Sequence, residues 1–208
     1  MHIAILTFDG FNELDVLPAY GMLSRPRLLG DADWHVHIAS PTPRVTSMNG
    51  LTIDAHQDLS RIGQADAVLI GSGMKTREVA ANPALMGQIR LDAARQFIGA
   101  QCSGTFLLAR LGLLGSASAT TDLTSAPWVQ DAGVRLTDRP VVAHGHIATA
   151  GGCLSAPYLV AWFLLRLRGE AAAREVLHYF APVGEKDAYV ARALGWARGA
   201  AVAEAVAA

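Results

Sequence analysis

Cys102 is the residue whose setting invites chemistry. Ile98-Gly99-Ala100-Gln101 reads as the end of a buried strand, and Gly104 opens an apolar helix running through Thr105 to Leu111. Cys102 therefore stands at the apex of a strand, a sharp turn and a helix. Such an elbow holds its central residue in strained backbone and needs small neighbours, which Gly99, Ala100 and Gly104 supply. The helix N-terminus beside it offers unpaired N–H groups and a positive dipole end, which favour the thiolate, the reactive form of the side chain. Filling core space is the commoner fate of a free cysteine. Packing alone, however, asks for no glycine on one side and no Ser103-Gly104 on the other. Cys153, after Gly151 and Gly152, also lies between a strand and a helix but lacks a second signal, and a packing role is the expectation there. Two cysteines in 208 residues make no disulfide framework, so both are read as free thiols.

Two other stretches could support the thiol. The segment Asp9 to Pro18 follows the first strand, and in an open parallel sheet such loops converge on the C-terminal edge, where the elbow sits. If Asp15 points inward it is partly buried beside the sulfur and serves as a proton donor or shuttle. If it faces water it is an ordinary helix-start acid, the commoner case for a lone Asp. Gly71-Ser72-Gly73 ends another strand at the same edge. There the amides of Gly73 and Ser103 could form an oxyanion hole, each donor being worth about 3 kcal/mol, or the tripeptide could be an ordinary tight turn. It is not a dinucleotide fingerprint, because Thr76 stands where the third glycine belongs. His35-x-His37 and His144-x-His146 each place two imidazoles on one face of an expected strand, but neither has an evident third ligand, and no metal site is expected.

The elements that must position these groups follow from hydrophobic pattern. Short apolar runs at Ile3 to Thr7, Trp34 to Ala39, Ala67 to Ile70, Phe97 to Ala100 and His146 to Ala150 are nearly continuous, as in strands covered on both faces. Helical patterns occupy Asn82 to Arg95, Ser103 to Leu114, Ser155 to Arg168 and Glu170 to Tyr179. This alternation predicts an α/β chain with a doubly wound, flavodoxin-like, mostly parallel sheet and helices on both faces. The punctuated stretch Pro41 to Asp54 predicts a hairpin excursion from Arg44 to Thr46 and Leu51 to Ile53, and Lys186 onward predicts a surface helix. A single domain spanning residues 1–208 is expected.

Composition excludes several classes of function. Charged residues are 17% of the chain, the formal net charge is −1 and the basic residues are scattered, which leaves no footprint for nucleic acid. The N-terminus lacks a basic lead and a cleavage site, and the apolar stretch Leu154 to Leu167 is interrupted by Ser155, Pro157 and Arg166. No membrane association is expected, and a cytoplasmic location is.

At these residues the chain resembles the ThiJ/PfpI superfamily, relatives of the class I glutamine amidotransferase domain, over almost its whole length. The matching stretches are Phe8 to Pro18 with Leu14-Asp15, Ile70-Gly71-Ser72-Gly73, Gln101-Cys102-Ser103-Gly104 followed by Leu111-Gly112-Leu113-Leu114, Ala119-Thr120-Thr121, and Thr149-Ala150-Gly151-Gly152. It is most similar to the isocyanide-hydratase-like group. The resemblance implies Cys102 as nucleophile, Asp15 as its acidic partner, Ser103 as the neighbouring hydroxyl, and Gly73 and Ser103 as donors of an anion pocket that Gly71, Ser72, Thr121 and Asp122 could border. It implies a homodimer, a small-molecule substrate, no cofactor, and hydration of an isocyanide to an N-substituted formamide. Many relatives carry His after the paired threonines, where this chain has Asp122. A Cys-His dyad is thus missing, which weakens an amidase or protease reading. A cofactor-free glyoxalase, or a non-enzymatic sensor in which Cys102 is oxidised reversibly, is the alternative. An enclosed apolar pocket lined by residues such as Phe106 or Trp128 would favour a substrate, and an open shallow one a sensor. The absence of a helix-turn-helix region after the core argues against a complete transcription regulator.

Overall fold

The structure is a computed structural model that describes residues 1–200. Among these, seven strands form one sheet in the order β5 (Gln57–Asp58), β2 (His35–Ser40), β1 (His2–Leu6), β6 (Ala67–Ile70), β7 (Phe97–Gln101), β9 (Ile147–Ala150) and β8 (Val141–His144). The central strands β1, β2, β6, β7 and β9 all run parallel, as their apolar runs predict. Because side chains alternate across a strand, Ile3 and Ile5 enter one core and Ala4 and Leu6 the other. The first core is closed by helices α1 (Glu13–Leu28), α6 (Ala156–Phe180) and α7 (Lys186–Ala200). The second is closed by α2 (Thr76–Ala80), α3 (Pro83–Met86), α4 (Gly104–Arg110) and α5 (Ala126–Asp131). Helices thus cover both faces. None among the described residues is long and apolar enough to cross a membrane.

Elsewhere the structure departs from the expectations. The helix expected over Asn82 to Arg95 is only the short α3, which Gly87 caps. Beyond it, Asp92 and Gln96 bind neighbouring backbone N–H groups and compete with the helical ladder. The two helices expected between Ser155 and Tyr179 are both present as the two arms of α6, separated at Gly169, whose φ of 82° and ψ of 177° are not helical. The hairpin excursion is present as β3 (Arg44–Thr46) against β4 (Thr52–Asp54), and the two-residue β5 (Gln57–Asp58) edges the main sheet. Helix α7 begins where expected, but it sinks Val190, Leu194 and Ala197 into the core instead of merely lying on it. Residues 201–208 of that expected helix lie outside the described residues.

Several elements went unrecognised in the sequence, the short α2, α5 and β5 together with α1 and β8. Helix α1 carries Pro18 and Pro26 inside it, which read as loop punctuation. Strand β8 (Val141–His144) pairs antiparallel with β9. His144 and His146 therefore flank a tight turn at Gly145, where φ is 56°, and do not share one strand face.

Candidate active site

Cys102 occupies the elbow its flanking residues predict. Its φ of 47° makes it the one non-glycine residue in the left-handed region among those described, a conformation that costs about 1–3 kcal/mol and persists only when its surroundings enforce it. Here the Cys102 N–H donates to Ala150 O at 2.8 Å, and Thr121 Oγ1 donates to Cys102 O at 2.7 Å. The glycine at 104 has an equally concrete cause, since a Cβ there would lie 2.7 Å from Ile70 O. Gly99 does a different job. A Cβ on it would strike the Phe163 ring at 2.6 Å, so it makes room for α6 on the opposite face.

Asp15 points inward. It lies in the first turn of α1, fully buried, and accepts a hydrogen bond from Ser72 Oγ on Oδ2. The helix reaches this position because the glycine turn after β6 clasps the loop before it. Asn12 N donates to Ser72 O at 2.8 Å, Met74 N donates to Gly10 O at 2.9 Å, and a Cβ on Gly71 would lie 2.7 Å from Val16 Cγ2. Asp15 Oδ1 is buried without a full hydrogen bond, and its neighbours are thiols. A carboxylate oxygen of Asp15, Cys102 Sγ and Cys153 Sγ all lie within 4.8 Å of one another.

The Ser103 hydroxyl is committed elsewhere. Thr76 Oγ1 lies 2.7 Å from both Gly73 O and Ser103 Oγ, and Ser103 Oγ lies 3.5 Å from Gly73 O, so the shorter bonds form when Thr76 donates to Gly73 O and the serine to Thr76. Ser103 Oγ in turn accepts from Gly73 N at 3.2 Å. These three bonds close a ring. Of the two amides expected to line an anion pocket, Gly73 N–H is therefore engaged, while Ser103 N–H donates to no partner among the described residues.

Cys102 is only 3% exposed and borders a cavity of about 450 Å³. Met48, Met74 and Trp128 supply much of its apolar wall, and Asn12, Ser72, Gly73, Ser103, Ser125 and Asp122 its polar groups. Phe106 packs edge-on against Trp128, with centroids 6.3 Å apart, from behind the wall. Gly71 supports the turn from below, and Thr121 lines an adjoining cleft of about 830 Å³ that Asp122 shares. Asp122, at the position of the missing histidine, spends one carboxylate oxygen on the backbone. Its Oδ1 accepts from Thr124 N and Ser125 N at 2.9 and 3.0 Å, capping the turn into α5.

Cys153, for which packing was expected, and Gln101 and Asn12 are among the residues the sequence reading did not assign to the site. Cys153 joins it from the loop after β9, half-buried. Gln101 holds that loop to the elbow by donating from Nε2 to Gly152 O at 2.7 Å. Asn12 caps α1 by accepting from Leu14 N on Oδ1, which leaves Nδ2 to donate to Cys153 Sγ at 3.1 Å. An Asn before a helix was a visible capping signal, but its second partner is 141 residues away.

Burial dominates the electrostatics. It pushes the Asp15 carboxyl above the ordinary carboxylate range, with Ser72 and the thiols opposing it in part. It pushes the Cys102 thiol up as well, and the negative charge of Asp15 adds to the effect. The pair favours one negative charge over two. Asp15, Cys102 and Cys153 are also the one group that could grip a metal ion among the described residues. Two sulfurs and one carboxylate leave such a set a ligand short of the usual structural zinc site. His37 and His35 do lie on β2, but His37 Nδ1 pairs with His2 Nε2 at 2.7 Å instead of joining a third ligand.

The sequence profile of the DJ-1/PfpI family matches residues 1–164. Among solved structures, Schizosaccharomyces pombe DJ-1 superposes with a TM-score of 0.74 at 16% identity, over 88% of this chain and 100% of that one. A mutant form of a DJ-1 superfamily protein from Salmonella typhimurium gives 0.74 at 25% identity, over 87% and 98%. A ThiJ/PfpI family protein from Pseudomonas syringae gives 0.74 at 18% identity, over 97% and 89%. No curated protein matches the chain.

Proposed function

The chain belongs to the DJ-1/PfpI family, and from that premise we propose that it is a cysteine-dependent enzyme that hydrates a small uncharged electrophile, an isocyanide, to the N-substituted formamide. The observation that carries this reading is the buried Asp15 carboxyl beside Cys102 Sγ on the wall of a largely apolar cleft that opens to solvent. A carboxyl held above its usual range binds a proton more readily than a solvated one, so it can take the thiol's proton and return it to a reacting atom. The uncharged thiol of Cys102 passes its proton through Asp15 as its sulfur attacks the terminal isocyanide carbon. That carbon then takes the proton, and a thioimidate, R–N=CH–S, results. Water adds to the thioimidate carbon, Ser103 N–H stabilises charge that develops beside the elbow, and the C–S bond breaks to give R–NH–CHO and the free thiol. The sum is isocyanide plus water. No electrons are exchanged, so the steps require no organic cofactor.

Two features weigh against an amidase and against a sensor built on Cys102. An amide substrate requires protonation of a poor amine leaving group, and the residue at the dyad position, Asp122, is bound up in its cap. A sensor built on Cys102 alone requires an accessible thiolate, whereas burial and Asp15 keep this sulfur enclosed and protonated. The exposed apolar side chains Leu14, Met48 and Met74 near the cavity suit a second copy of the chain, in keeping with a homodimer.

The test is formamide formation from a small aryl isocyanide by the fully reduced protein, with Cys102→Ala beside it. Turnover that the variant abolishes is expected. Turnover that survives in Cys102→Ala, or none in the wild-type protein, overturns the reading.

A further inference from the structure

We infer that Cys153 is a redox partner of Cys102, and that a hydroperoxide converts the pair into an intramolecular disulfide that reversibly caps the nucleophile. The two sulfurs lie within 4.8 Å, so the move to a bonding distance of about 2 Å is under about 3 Å. The chain between them favours that move. Cys153 follows Gly152, whose φ is 83°, in a short loop that Gln101 ties to the elbow through Gly152 O. Residues Cys102 and Ala150 are already joined by a backbone hydrogen bond of 2.8 Å. The pairing of β7 with β9 thus holds both cysteines at one edge of the sheet.

The surroundings set the order of events. Cys153 is half-buried at the cavity wall and Cys102 almost fully buried, so an oxidant in the cavity meets Cys153 first. Burial and the Asp15 charge push the Cys153 thiol up, and the N–H of Asn12 on its Sγ opposes that in part. In the first step the Cys153 sulfur attacks the distal oxygen of ROOH, the O–O bond breaks, ROH leaves, and Cys153–SOH forms. In the second step the Cys102 sulfur attacks the Cys153 sulfur and displaces the hydroxyl group. Asp15, which faces both thiols, takes the Cys102 proton and delivers it to the departing oxygen, so water leaves. Two thiols and one hydroperoxide give one disulfide, one alcohol and one water. A thiol reductant restores both cysteines.

The experiment treats the reduced full chain with a small excess of hydrogen peroxide. Intact mass and thiol titration in denaturant are then compared with those of Cys153→Ser. The wild-type chain is expected to lose two hydrogen atoms in mass and both titratable thiols, to remain monomeric on a non-reducing gel, and to recover both thiols with dithiothreitol. Under the same treatment Cys153→Ser keeps its Cys102 thiol or gains oxygen that dithiothreitol does not remove. A wild-type chain that keeps its thiols, gains oxygen atoms at Cys102, or forms only interchain disulfides overturns the inference. No outcome depends on isocyanide turnover.

Discussion

The Asp15 carboxyl and the Cys102 thiol lie within 4.8 Å of each other at a site where the aspartate is fully buried and the cysteine 3% exposed. Each would ionise readily in water, but together and enclosed they favour one charge between them. That coupling lets a single proton be held, passed to a substrate carbon and recovered, and it makes the pair testable from either side.

Asp15→Asn removes the charge that opposes the thiolate while keeping an oxygen to accept from Ser72. The pH midpoint for alkylation of Cys102 by iodoacetamide is expected to move down. Isocyanide hydration should nevertheless fall by about 10²–10⁴-fold, the usual worth of a positioned acid-base group. A more reactive sulfur with slower turnover separates a proton shuttle from a structural carboxyl. An unchanged alkylation profile would remove Asp15 from the mechanism.

The same substitution has a thermodynamic signature. Burial raises the folded-state pKa of Asp15 above its ordinary value of 3.8. Its favourable contribution to stability is therefore complete below pH 3.8 and lost as pH rises through the raised value. At pH 7 Asp15→Asn should melt higher than wild type, each kcal/mol adding about 2–4 °C. The gain should shrink as pH is lowered toward 3.8. A difference in melting temperature that stays constant between pH 7 and pH 4 would show that no raised carboxyl is present.

How much of this could be read in advance depended on where each constraint lies along the chain. The elbow was legible because Ala100, Gly104 and Cys102 are neighbours in sequence, and their small size answers a local steric demand. The direction of Asp15 was not, because Ser72, 57 residues away, and the glycine turn around it decide that direction. Cys153 carried no local frame and acquired its place through β9, which pairs with the strand leading to Cys102. Hydrophobic alternation exposed the central strands. Helix α1 stayed hidden because Pro18 and Pro26 argue locally for a break, whereas the buried Val16, Ala19, Met22 and Leu23 are held as a helix by the core.

Gly71 is expected to be sensitive because of what it faces. A Cβ there would lie 2.7 Å from Val16 Cγ2 and 3.1 Å from Leu6 O. Gly71→Ala should cost about 1–3 kcal/mol, as overpacking does, and by pushing on α1 it should lower activity through Asp15. Val16→Ala removes the nearer obstacle. Combined in urea unfolding experiments, the two changes should cost less than their sum. Strict additivity would mean that the Gly71–Val16 contact does not hold α1 in place.

The hydroxyl ring gives the sharpest test of the site's internal order. Thr76 is fully buried, and Thr76→Val keeps its shape while removing both the donor to Gly73 O and the acceptor of the Ser103 proton. Leaving such groups without partners should cost about 1–3 kcal/mol. Thr76→Ser, which keeps the hydroxyl, should recover most of it. Ser103→Ala breaks the same ring at another point and releases the Gly73 N–H from its side-chain acceptor. If the three groups act as a unit, Thr76→Val combined with Ser103→Ala should be little worse than either change alone. Ser103→Ala should also retain far more activity than Cys102→Ala, because the serine hydroxyl is held by Thr76 and by the Gly73 amide. Costs that simply add, or a Ser103→Ala variant as inactive as the cysteine variant, would mean that the Ser103 hydroxyl leaves the ring to take part in the reaction.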